Sequence, residues 1–246
     1  MDHLDHRSIG QRLDLFHQQD ESPGAVFWHP RGWMLYRIIE DYVRRRMRSA
    51  GFREIRTPQL MSRRLWEQSG HWDKYRNNMF ALAQDGDGGE RVMALKPMSC
   101  PGHVELYRSR LWSYRELPAR FAEFGAVHRN EASGALSGLM RLRAFTQDDA
   151  HVFCRPDQVV DEVAKFATLL SWVYADFGFD KIAAAFRHFL HRCRILSAAP
   201  GDAASRRAGQ PRAIHRRIVG TSWRTFAAVA GARANCCRQH HQRYGR

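Results

Sequence analysis

No window of this 246-residue chain holds the roughly 18 uncharged apolar residues that a membrane-crossing helix needs, which excludes a helical membrane protein. The first residues, MDHLDHRSIGQRLDLFH, lack the apolar stretch of a secretory leader, so the chain is expected in the cytoplasm with no membrane partner. Cysteine is scarce and odd in number, five in all, at Cys100, Cys154, Cys193, Cys236 and Cys237. That spacing builds no disulfide framework and reads as reduced thiols, with Cys100 in the one setting that points to a task. There is no GxxxxGK[ST] and no GxGxxG after a strand, which disfavours P-loop and Rossmann nucleotide sites, and no internal repeat, which excludes a solenoid.

Acid and lysine are the next absences, and they are local. Residues 183–246 contain 13 arginines, no lysine and the single acid Asp202, a net of +12 out of the chain's +14. Residues 1–182, with 26 basic and 24 acidic side chains, are close to neutral. The chain is thus expected to divide into a core at 1–182 and a basic Arg/Ala-rich tail at 183–246. The tail has two readings: a segment that holds RNA through its charge, or a degraded or out-of-frame remnant whose sparse apolar periodicity would not pack.

What is present is a globular composition, 44% hydrophobic and 11% aromatic, arranged with clear periods. In RGWMLYRIIEDYVRRRMRSA (31–50), Leu35, Ile38, Ile39, Tyr42, Val43 and Met47 recur at helical spacing, and Gly51 ends the pattern. FREIRTPQLM then reads as a strand interrupted by Pro58, which fits an edge, a strand end or an interface. Residues 62–80 read as a helix followed by a loop through SGHWDKYRNNMF, and QDGDGGE (84–90) reads as a turn. RVMAL, RFAEFGAVHR, LRAFTQ and AHVFC read as strands, and PDQVVDEVAKFATLLSWVYADF (156–177) as a second amphipathic helix. The expected class is α+β, with helices flanking an antiparallel sheet.

The chemistry is concentrated in FGAVHRNEASGALSGLMRLRAFTQDDAHVFC (124–154), one expected hairpin. It carries Arg129, Glu131, Arg141, Phe145, Gln147, Asp149 and His151 in about thirty residues. Arginines hold phosphate and carboxylate oxygens in a fork, an aromatic ring stacks on a base, and amide, carboxylate and imidazole groups hold an amino group or a metal. A structural loop has no need of all of these at once.

Several segments together resemble the catalytic core of threonyl-tRNA synthetase, a class II aminoacyl-tRNA synthetase, over residues 5 to about 181. They are DHRSIGQRLDLFH, PGAVFWHPRGW, GFREIRTPQLM, LWEQSGHWDKYRNNMF, LKPMSCPGH, the run from SYRELPARF to HVFC, and DFGFDKI. The combination of KPMSCPGH with FTQDDAH is particular to the threonyl type. The resemblance implies a class II antiparallel sheet flanked by helices, incomplete in its C-terminal part. It also implies a homodimer formed through the helix, strand and Pro58 unit, and threonine–tRNA ligase activity. ATP, accompanied by Mg2+, activates threonine to the adenylate, and the threonyl group passes to the tRNA acceptor end.

By the same resemblance, Arg129 meets the ATP α-phosphate and the substrate carboxylate. Glu131 and Arg141 lie near adenine and triphosphate, Phe145 stacks on adenine, and Gln147 and Asp149 hold the substrate amino group and orient the site. Cys100, His151 and a third ligand hold Zn2+, which takes the amino and hydroxyl groups of threonine and so rejects valine. His71 matches a histidine that faces the terminal ribose of tRNA and assists proton movement. In the tail, AIHRRIVGTSWRTF (213–226) resembles the family's motif 3, with His215 as the third zinc ligand and Arg224 as the γ-phosphate arginine. Trp223 departs there from the family's glutamate, Ala132 and Ser137 depart from its usual motif 2, and no segment at 183–212 matches the family's FYGPK-like strand. The family's editing and anticodon-binding domains are not expected in this chain, so serine, which also carries a hydroxyl, would go uncorrected. Two other functions stay open on sequence: a stand-alone amino-acid-activating paralogue with a non-tRNA acceptor, and a non-enzymatic module that binds RNA or a full-length synthetase.

Overall fold

The computed structural model describes residues 5–84, 91–179 and 218–219. A short helix, α1 (His6–Arg12), leads into a two-stranded ribbon of β1 (Phe16–His17) and β2 (Phe27–Trp28). The long helix follows as α2 (Pro30–Ser49), with Pro30 in its first turn, where no amide hydrogen is needed, and Gly51 at φ +81° beyond its end. Next come β3 (Arg53–Glu54), β4 (Leu60–Ser62), α3 (Arg63–Gln68) and α4 (His71–Tyr75). The stretch expected to be a loop is therefore helical in part, because Gly70, at φ +69°, breaks one helix and starts another. The hairpin strands β5 (Ala81–Gln84) and β6 (Arg91–Leu95) flank the expected turn, whose residues 85–90 lie outside the described ones.

The chain continues through α5 (Cys100–Arg108), β7 (Ala119–His128), β8 (Ala144–Phe153), α6 (Val159–Asp176) and β9 (Ile218–Val219). LRAFTQ and AHVFC, read from sequence as two strands, form the single ten-residue strand β8, paired antiparallel with β7 along its full length from Ala119↔Phe153 to His128↔Ala144. The main sheet has the order β3-β7-β8-β9, antiparallel except for β3, which runs parallel to β7. A second sheet, β4-β6-β5, closes around the fully buried Trp66, with Met61, Met79 and Ala94. Backbone bonds from His128 N–H to the Lys96 carbonyl (2.9 Å) and from Asn130 N–H to the Asn78 carbonyl (2.9 Å) join the two.

Side chains alternate along a strand, so β7 and β8 each present two faces. Ala122, Ala150 and Val152 lie under α2 and α6, packed with Phe52, Tyr42, Met47, Leu169 and Val173. Arg120 on this face makes two bonds, 2.5 and 2.6 Å, to the buried Glu162 carboxylate of α6. Burial alone would push the Glu162 carboxyl up, but its bonds to Arg120 and Lys165 hold it below the usual carboxylate range. Tyr42 and Arg46 of α2 both bond Asp176, which ties the ends of the two helices. On the opposite face, Ala119, Phe121 and Phe153 pack against Tyr107 of α5, the Phe153 and Tyr107 rings stacking at 4.1 Å. Beyond that contact, the remaining β7–β8 positions on this face are left to the site.

The apolar stripe of α2 is only half used. Val43, Tyr42 and Met47 reach the core, whereas Ile38 is 55% exposed and Trp33 and Met34 stand out beside it. A polar hollow lined by Trp33, Tyr36, Arg37, Arg56, Lys96 and Phe124 opens between this half of α2 and the free length of β7. No described helix is long and apolar enough to cross a membrane.

Candidate active site

The period of two in β8 decides the site. Phe145, Gln147, Asp149 and His151 are spaced by two and share one face, opposite Val127, Gly125, Glu123 and Phe121 of β7 in that order. Gln147, Asp149 and His151 are each less than a twentieth exposed. The segment that follows β6 crosses this face closely: a Cβ added to Gly125 would stand 2.5 Å from the Ser99 hydroxyl oxygen. Gly125 leaves room for the Ser99 hydroxyl there, and the segment brings the start of α5, with Cys100, onto the inner end of β8.

Cys100, Asp149 and His151 are all buried, and one donor atom from each lies within 4.8 Å of the others. Asp149 Oδ1 is 3.9 Å from His151 Nδ1. A thiol, an imidazole and a carboxylate out of bulk water are a donor set suited to a zinc ion, so the residues present fit the metal that the sequence implies. Of the expected ligand set, Cys100 and His151 are brought together here. His215 lies outside the described residues, and Asp149, expected with Gln147 to hold the substrate amino group and orient the site, stands among the donors. β9 does pair with β8, Val219 opposite His151 and Ile218 opposite Val152, so part of the 213–226 run borders the cluster.

The outer end of the hairpin gathers the other expected group. Arg129, Glu131, Arg141 and Phe145 line one cleft, together with Leu139, Met140 and Leu142. The Arg129 guanidinium lies over the Phe145 ring, 5.1 Å from its centroid, and its Nε donates to the Pro97 carbonyl at 3.1 Å. Arg141 Nη2 donates to Glu131 Oε2 at 2.8 Å, and Arg143 Nε donates to the Glu131 carbonyl at 2.8 Å, bracing the turn of the hairpin. Cleft and donor cluster thus lie on one continuous face, Phe145 at one end and His151 at the other, with Gln147 between them.

His71 takes a separate place. It begins α4, packs its ring edge-on to Trp66 in the core of the second sheet, and its Nδ1 is 2.8 Å from Ser69 Oγ. Arg224, like His215, lies outside the described residues.

The sequence did not single out the polar group beneath the donors. Glu123 is 2% exposed and accepts bonds from Lys96 Nζ (2.8 Å), the Thr57 amide (2.8 Å) and the Thr57 hydroxyl (2.9 Å), and lies 3.0 Å from His103 Nε2. Burial raises a carboxyl pKa, but here the bonds from His103, Lys96 and Thr57 outweigh it and bring Glu123 down to about 2. A glutamate in the apolar strand RFAEFGAV, at a position that alternates with Phe121 and Val127, is the signal that could have found it.

Comparison with known proteins shows the family of this chain. The family model described as the tRNA synthetase class II core domain (G, H, P, S and T) matches residues 80–221, more than half of the chain. Threonine–tRNA ligase of Paraburkholderia phymatum is 58% identical over 178 residues, which are 72% of this chain and 27% of that protein. Threonine–tRNA ligase of Acidiphilium cryptum is 58% identical over 183 residues, 74% of this chain and 28% of that protein. The chain therefore spans little more than a quarter of the curated relatives it matches. Among solved structures, the RNA binding domain of threonyl-tRNA synthetase from Cryptosporidium parvum superposes with a TM-score of 0.67 and 46% identity, over 71% of this chain and 43% of that one.

Proposed function

Because this chain belongs to the class II tRNA synthetase core-domain family, we propose that it activates threonine with ATP, as a threonine–tRNA ligase core, and delivers the threonyl group to the tRNA acceptor end. The observation that carries this reading is the single face of β8. It ranks a base-stacking ring, an amide, a carboxylate and an imidazole in two-residue steps, with Arg129 over one end and Cys100 beside the other.

In the first step, a carboxylate oxygen of threonine attacks the α-phosphorus of ATP while the bond to pyrophosphate breaks, and pyrophosphate leaves with the electron pair. Negative charge grows on the non-bridging oxygens, where a guanidinium held in place beforehand stabilises it at little reorganisation cost. The bond from Arg129 Nε to the Pro97 carbonyl sets the plane of that guanidinium, and Phe145 offers its ring to adenine. Glu131 and Arg141 border the same nucleotide, and Mg2+ travels with its phosphates. Gln147 and Asp149 accept hydrogen bonds from the substrate amino group. Cys100 and His151, with Asp149 or His215 as third donor, would hold zinc, which supplies a Lewis acid for the amino and hydroxyl groups and leaves valine one contact short. In the second step the terminal tRNA hydroxyl attacks the adenylate carbonyl and AMP departs, with His71 a candidate acceptor for the hydroxyl proton.

The family match through residue 221 and the pairing of β9 support counting 213–221 as part of the core rather than of a separate tail, and by the resemblance Arg224 serves the γ-phosphate. The reading is checked by ATP–pyrophosphate exchange on the full chain with zinc supplied. Exchange is expected to depend on threonine and to fall by about 10²-fold or more with valine. A zinc-loaded protein with no threonine-dependent exchange would sink it.

The exposed half of α2 supports a homodimer, since Trp33, Met34 and Ile38 form an apolar group at the mouth of the hollow beside β7. Sedimentation equilibrium is expected to return twice the 28.6 kDa chain mass, and Ile38→Asp to shift the protein to monomer. Monomer at all concentrations for the unaltered chain would refute this assembly. The family setting points to the cytoplasm as its place of action.

A further inference from the structure

We infer that Glu123 and His103 form a positioning pair that fixes the His151 ring in the donor cluster, with Lys96 and Thr57 as the anchor of the pair. The inference rests on reading Cys100, Asp149 and His151 as metal donors, and it concerns residues that this reading leaves without a task.

His103 is wholly buried, and its ring lies 4.4 Å from the His151 ring at 58°. Its Nε2, 3.0 Å from Glu123 Oε2, must carry the hydrogen, because an ionised carboxylate only accepts. Its Nδ1 has no hydrogen-bond partner among the described residues, so one bond to Glu123 sets both the tautomer and the orientation of the ring. Glu123 in turn has no freedom. Lys96 Nζ and the Thr57 amide hold one oxygen, and the Thr57 hydroxyl and His103 hold the other.

The chain of constraint is therefore Lys96 and Thr57, then Glu123, then His103, then His151. Each link is a buried contact; the first two links are hydrogen bonds and the last is ring packing. An imidazole that must meet a metal within a few tenths of an ångström gains from a neighbour that cannot rotate; hydrogen-bonded partners of metal ligands are worth about 10–100-fold in metal affinity, and the packed His103 ring is expected near the lower end of that range. The sheet explains the economy: Glu123 and Asp149 are directly opposed in the register, and so are Phe121 and His151. One carboxylate of the face then orients while the other donates.

Co(II) is the probe, since its absorption reports both occupancy and ligand geometry. It is titrated into the full chain and into His103→Phe and His103→Gln. Phenylalanine keeps the ring packing and removes the bond; glutamine keeps a donor for Glu123. The expected result is binding by the unaltered protein, about 10-fold weaker binding with a shifted visible spectrum for His103→Phe, and recovery of most of both by His103→Gln. Should the phenylalanine variant fail to fold, His103→Leu takes its place and is read in the same way. Folded variants that match the unaltered protein in affinity and spectrum, or that weaken equally with and without the donor, overturn the positioning role while the metal reading stands. An unaltered protein that takes up no Co(II) overturns the metal reading and the positioning role with it.

Discussion

Arg129→Ala is expected to lower threonine-dependent ATP–pyrophosphate exchange by about 10²–10³-fold, the usual cost of removing one preorganised donor from developing charge. The expectation follows from how the side chain is held. Its Nε is committed to the Pro97 carbonyl and its guanidinium plane lies over Phe145, so it meets the nucleotide without first losing rotamer freedom. Arg129→Lys should recover little, because an ammonium can neither fork between two oxygens nor lie flat on the ring. Steady-state kinetics separates the effects: a fall in kcat with ATP KM nearly constant marks a contact made in the transition state. Arg129→Ala within about threefold of the unaltered protein would remove Arg129 from the chemistry.

The largest expected effect on stability is that of Lys96→Met. Lys96 and Glu123 are 1% and 2% exposed, and their 2.8 Å contact is the only full counter-charge among the bonds described for Glu123. Removing one partner of such a pair leaves a buried ion uncompensated, at a cost of about 3–5 kcal/mol, and lowers the melting midpoint by roughly 10 °C for a domain of this size. The pH dependence follows from the Glu123 carboxyl at about 2, well below the ordinary carboxylate value of 4.5. A depressed carboxyl contributes stability that is fully present above about pH 4.5 and is lost as pH falls toward 2. In Lys96→Met the same carboxyl takes up a proton more readily, which relieves the unpaired charge. The gap between the two melting curves should accordingly be widest near pH 7 and narrow below about pH 4.5. Circular-dichroism melts at pH 7, 5 and 3.5 decide it; a gap that is absent at pH 7, or that widens in acid, counts against a charge-paired core.

Much of this arrangement was legible in the residues, for reasons that differ from place to place. The two long helices announce themselves by apolar spacing, and α2 and α6 lie within a few residues of their expected bounds. The hairpin was visible because its functional residues alternate, although β8 looked like two strands where Gln147, Asp148 and Asp149 interrupt the apolar pattern. Gln147 and Asp149 face a site instead of solvent, and local pattern does not distinguish the two. Helix α4 was missed because Gly70 reads as a breaker when it serves as the start of a new helix. The half-exposed stripe of α2 has the same root: periodicity finds an apolar face but not whether the same chain covers it. Lys96, His103 and Glu123 escaped notice because the bonds that define them span 20 to 66 positions of sequence. Such contacts follow from the fold and not from any one segment.

The pairing of β7 with β8 carries one more consequence, concerning which changes this chain can absorb. A one-residue slip anywhere along the ten-residue ladder would turn Phe145, Gln147, Asp149 and His151 toward α2 and α6 and bring Ala144, Thr146, Asp148 and Ala150 round in their place. Specificity of the face is then stored as a count of residues, not only as their identities. Drift at the exposed 132–134 turn of the connection is cheap and drift in strand length is ruinous, so lineages descended from such a hairpin should differ by substitution within the strands and by insertion only at the tip.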